Sequence, residues 1–75
     1  MPYIAVKMFP KDEEMRKKLA DRLNEAILEV VGCRPEAVTI SMEEIPKEDW
    51  AAKVKEAEIL PNMDKMMIVS GEKKY

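Results

Sequence analysis

Tyr3-Ile4-Ala5-Val6-Lys7-Met8-Phe9, stopped by Pro10, sets Ile4, Val6 and Met8 on one side and Ala5 and Lys7 on the other. Residues 37–45 repeat the pattern: Val38, Ile40 and Met42 alternate with Thr39, Ser41 and Glu43, and Pro46 ends the run. A period of two is the signature of a half-buried strand. Between the two runs the period changes. Met15, Leu19, Leu23, Ala26, Ile27, Val30 and Val31 recur at steps of three, four and one, which predicts an amphipathic helix with a continuous apolar stripe. Asp12 stands where a helix N-cap is needed, and Glu13 and Glu14 occupy the first turn, where carboxylates suit the helix dipole. Gly32 follows Val31, placed for a left-handed C-terminal cap. Arg16, Lys17, Asp21, Arg22, Glu25 and Glu29 fall on the opposite, solvated side of the helix.

Strand, long helix, strand is a βαβ unit, with parallel strands and a right-handed crossover. The fold class expected is α+β. After Pro46, residues 47–54 read as a turn or short helix. Residues 56–68 read as a short C-terminal amphipathic helix carrying Ile59, Leu60, Met63, Met66 and Met67. Pro61 is tolerated there only in a first turn. Residues 70–75 are polar and read as a frayed end.

Seventy-five residues bound the chain to one small domain, 1–75, with too little interior to be stable without a staple. A single cysteine, Cys33, excludes an intrachain disulfide, and the absence of histidine argues against a zinc site. Two parallel strands do not make a stable sheet, and both outer edges offer unpaired backbone groups. Pairing with a second copy answers both problems. The expected assembly is a homodimer whose two βαβ units join edge to edge into a four-stranded sheet. Thirteen basic against fifteen acidic residues give a net charge of −2, which speaks against nucleic acid as a partner. No apolar run is long enough for a membrane span, and no signal peptide opens the chain, so a cytoplasmic protein is expected.

Pro2 directly behind Met1 is the candidate for chemistry. Removal of Met1 would leave Pro2 as a secondary amine at the chain terminus. With no histidine present, an α-amino group (ordinarily about 7.7–8.0) is the base whose pKa lies closest to neutrality. An apolar setting lowers it further by disfavouring the charged form. With Met1 retained, the same nitrogen is an amide and no base. Cys33 reads as a loop thiol, since no histidine exists to activate it, and Lys7 as a solvated charge.

Taken together, Pro2-Tyr3-Ile4-Ala5-Val6-Lys7-Met8-Phe9-Pro10, the run from Val38 through Glu43-Glu44-Ile45-Pro46 to Trp50, and the tail Ala57-Glu58-Ile59-Leu60-Pro61-Asn62-Met63 resemble the 4-oxalocrotonate tautomerase family, nearest its longer, dimeric branch. The resemblance covers nearly the whole chain. It implies a keto–enol tautomerase without cofactor or metal, in which the nitrogen of Pro2 takes a proton from an enol and returns it to carbon. Trp50 and Phe9 would then wall the pocket. Relatives that act on dicarboxylates carry a pair of arginines. This chain has Lys11 near the position of one, after a one-residue gap, and Thr39 at the other, with Arg34 in the nearby loop. Lysine is a point charge rather than a bidentate fork. A mono-acid enol of the phenylpyruvate kind therefore suits the chain better than a dicarboxylate. Ala51 and Ala52 follow Trp50 where water-activating relatives carry an acid, which argues against hydration chemistry. Three alternatives stay open at this stage: a different natural reaction with tautomerisation as by-product, a non-catalytic binding or structural module of the same fold, and a hexamer in place of the dimer.

Overall fold

The computed structural model describes all 75 residues. They form two compact units, Met1–Ile45 and Pro46–Tyr75. In the first unit, β1 (Tyr3–Met8), α1 (Glu13–Val31), a 3₁₀ turn (Pro35–Ala37) and β2 (Thr39–Glu44) follow in order. The strands pair in parallel, with Tyr3 opposite Thr39, Ile4 opposite Ile40, Val6 opposite Met42 and Met8 opposite Glu44. The βαβ reading of the sequence is therefore the structure of this unit. One sheet face carries Ile4, Val6, Met8, Ile40 and Met42, all half-buried; the other carries Tyr3, Ala5, Thr39, Ser41 and Glu43, all exposed.

Both ends of α1 obey local chemistry. The Asp12 carboxylate accepts the Met15 N–H at 2.7 Å. Gly32 adopts φ 73°, ψ 24° and donates its N–H to the Leu28 carbonyl at 3.1 Å. That left-handed geometry carries no Cβ penalty for glycine. The stripe between them differs from the expected one. The half-buried positions are Arg16, Leu19, Ala20, Leu23, Asn24, Ile27 and Leu28, a regular three-and-four spacing. Met15, Val30 and Val31 are exposed, Val30 at 83%. Arg16, assigned to the solvated side by its charge, lies on the packed side. The reason is Glu44, which ends β2 on the helix-facing side of the sheet: its carboxylate accepts the Lys11 N–H at 2.7 Å and lies 3.6 Å from the Arg16 guanidinium. A charge on the inner face is tolerable when it meets its opposite there.

The second unit departs further from expectation. A short α-turn α2 (Lys47–Trp50) runs directly into a π-helical stretch (Ala51–Ile59) and a 3₁₀ stretch (Leu60–Lys65) that kinks at Asn62 (φ −119°, ψ 28°), in place of the turn and the separate helix over 56–68. Pro61 opens the 3₁₀ stretch, where its missing N–H is harmless. The frayed end is also corrected. Ile68–Val69 (β3) and Glu72–Lys73 (β4) pair as an antiparallel hairpin. Ser70 at φ 49° and Gly71 at φ 82° supply the two positive φ angles that a tight primed hairpin turn demands. No helix is long and apolar enough to cross a membrane.

Candidate active site

Pro2 is half-buried at the entry to β1. Its carbonyl accepts the Thr39 N–H at 3.1 Å, which extends the parallel ladder by one rung. The α-amino group of Met1, one residue earlier, donates to the Ala37 carbonyl at 2.9 Å. The backbone on both sides of the Pro2 nitrogen is thus held against the segment that leads into β2. Beside it, Arg34, Glu36 and Ala37 line an open depression of about 340 Å³. The Arg34 guanidinium lies 3.1 Å from the Glu36 carboxylate and is 87% exposed, so it is free to turn toward a ligand at little cost. Pro2, Arg34 and Thr39 therefore share one end of the sheet.

Phe9 and Lys11 lie at the other end. Six residues of β1 at about 3.3 Å each put roughly 20 Å between them and Pro2 of the same chain. Parallel pairing dictates this: both strands begin at one edge, and whatever follows β1 emerges at the opposite one. The topology already held that constraint, though spacing along the sequence gave no hint of it. Lys11 is exposed, and its backbone N–H is anchored on Glu44. Phe9 is 40% exposed. Glu44 is the residue that sequence reasoning missed at this end. Its position on the inner face, opposite Met8, was the available signal.

Trp50 belongs to the second unit. It is half-buried and lines, with Ile59, Met63, Met66 and Ile68, a largely apolar cavity of about 320 Å³. Within the first unit the sequence-derived site thus divides into two places, Pro2 with Arg34 and Phe9 with Lys11. No three His, Cys, Asp or Glu side chains gather in a way that would hold a metal ion.

A family model for tautomerase enzymes matches residues 2–58. The chain belongs to the tautomerase family. Its similarity to individual members extends further along the chain. It is 33% identical over 66 residues to Tautomerase PptA of Cronobacter sakazakii, covering 85% of this chain and 87% of that one. It is 30% identical over 73 residues to Tautomerase PptA of an Enterobacter species, covering 95% and 96%. A probable tautomerase of Xylella fastidiosa is 34% identical over 55 residues, covering 72% of this chain and 67% of its own. The protein is accordingly an enzyme of the isomerase class, with tautomerase activity. The non-catalytic module is set aside.

Proposed function

We propose that this tautomerase interconverts the enol and keto forms of a small mono-acid, of the phenylpyruvate kind, using the secondary amine of Pro2 as general base once Met1 has been removed. The observation that carries the proposal is the setting of Pro2. Its backbone is pinned by Thr39 at the mouth of β1, beside the Arg34 depression. The family match opening at residue 2 supports it. The amine accepts the enol O–H proton; the O–H electron pair becomes the carbonyl π bond, and the C=C pair takes the proton back from the ammonium at carbon. The atoms balance with no cofactor. Such a base works best with a pKa near the operating pH.

A carboxylate on the substrate needs a cation. Arg34 stands at the Pro2 end of the same chain. Lys11 and Phe9, roughly 20 Å from their own Pro2, serve a substrate only at the Pro2 of a second copy. Trp50 supplies an apolar wall for the non-polar group. The assembly proposed is a cytoplasmic homodimer, with a hexamer as the alternative. The thin interior supports association: α1 has no buried residue, and Ile45 and Val54 alone reach 5% exposure. Cys33, a free thiol, suits a reducing compartment.

The test compares three forms: the mature chain, Pro2→Ala, and a chain that keeps Met1. Stopped assays of phenylenolpyruvate disappearance should show activity in the first, little in the second and least in the third. Mass spectrometry of the protein from its native host establishes whether Met1 is absent. Equal rates in the three forms would remove Pro2 from the mechanism.

A further inference from the structure

The Trp50 cavity has one charged lining residue, Lys55, and one further polar lining side chain, Ser70. Its volume of about 320 Å³ sits at the small end of ligand pockets, which run from about 300 to 1,000 Å³ and pair apolar walls with a few placed polar groups. Lys17, Lys53 and Lys74 each lie within 4 Å of a carboxylate, whereas the Lys55 ammonium has no ion pair. It is the one charged residue lining these apolar walls.

The helix geometry puts it there. Ala51–Ile59 is π-helical, and at its close the Leu60 N–H donates to the Lys55 carbonyl, a step of five residues. In such a wider turn residues i+4 and i+5 lie over residue i, whereas an α-helix stacks i+3 and i+4. Trp50, Lys55 and Ile59, spaced by five and four, thereby come to one face. An α-helix would turn Lys55 well away from Trp50. A stretch of nine π-helical residues is rare, and π geometry recurs at functional sites.

We infer that this cavity is a binding site for a small apolar monocarboxylate, with the body of the ligand against Trp50, Met63 and Met66 and its carboxylate on Lys55. The inference rests on the reading of Trp50 as an apolar wall for substrate, and adds Lys55 to Arg34 and Lys11 among the cations that could meet a carboxylate. A dicarboxylate has no second cation in this cavity. A neutral ligand leaves Lys55 without a partner.

Trp50 is the only tryptophan in the chain, so its emission reports on the cavity directly. The probe is 3-phenylpropionate, which cannot tautomerise, titrated beside its neutral amide. The wild type should change its Trp50 emission on adding the acid and bind it more tightly than the amide. Lys55 is exposed, so Lys55→Met should fold as the parent does. It should weaken the acid by roughly 5- to 10-fold, the size of one partly exposed charge-assisted contact, and leave the amide unchanged. Lys55→Arg should restore most of the loss. Because 3-phenylpropionate is bound and not turned over, the titration reads Lys55 whatever the role of Pro2. An acid that binds Lys55→Met as well as the wild type, or no Trp50 response at saturating acid, would overturn the assignment.

Discussion

If Lys11 contacts substrate, it does so in a site that contains another chain's Pro2. Pro2 precedes β1 and Lys11 follows it, and six strand residues at about 3.3 Å per residue separate them by roughly 20 Å. A lysine side chain spans only about a third of that. Lys11→Ala alone should raise KM more than it lowers kcat, because a carboxylate contact exists in ground and transition states alike. The loss should be roughly 5- to 30-fold, as for one charge-assisted hydrogen bond. Pro2→Ala should abolish nearly all turnover. Equal co-expression of the two variants then makes about half of the dimers mixed. Each mixed dimer joins the Pro2 of one chain to the Lys11 of the other and so regains one intact site of two. The mixture should recover about a quarter of wild-type activity. Independent chains would give no more than about a tenth, the mean of the two parents. Initial rates on the enol acid, with mixed dimers isolated by two different tags, distinguish these outcomes. Activity at or below the mean of the parents would refute the shared site. Arg34, at the Pro2 end of the same chain, would then be the cation to test.

Asp12→Ala removes the acceptor of the Met15 N–H and should cost about 1 kcal/mol in urea unfolding at fixed protein concentration. At Gly32 an added Cβ meets nothing within 4 Å, so the cost of Gly32→Ala is conformational only: about 1 kcal/mol at φ 73°, with Gly32→Asn costing less. Equal stabilities for alanine and asparagine would show that the C-cap relaxes away from the left-handed conformation. Sedimentation should give roughly twice the chain mass of 8.7 kDa. A stable monomer would refute the case from the thin interior and open strand edges, and a sixfold mass would establish the hexamer.

Elements governed by local rules were legible along the chain. Alternation over Tyr3–Met8 and Thr39–Glu44 shows which residues share a sheet face, and a parallel strand pair of this kind has no short connection available, so the helix between them must cross over. Asp12 and Gly32 marked the ends of α1 because each meets a backbone need within a few residues of itself. Pro2 stood out because a proline directly behind Met1 becomes a secondary amine once Met1 is removed, and the strand and helix pattern that follows it gave that position weight.

Everything that hangs on a partner distant in sequence escaped. Arg16 looks like solvent-facing charge until Glu44, 28 positions on, appears beside it on the inner face. The apolar stripe of α1 rotates accordingly, because burial is set by where the sheet lies and not by hydrophobicity alone; Val30 and Val31 are apolar yet face outward. Trp50, Lys55 and Ile59 share no face in any helix of the ordinary period. Only the five-residue hydrogen-bond step reveals that they line one cavity. Ser70-Gly71 reads as a polar end until β3 and β4 pair across it. In each case a periodicity or a cap is a property of neighbouring residues and can be computed from them. A charge pair, a cavity wall or a hairpin is a property of two segments, and its energy exists only once the chain has brought them together.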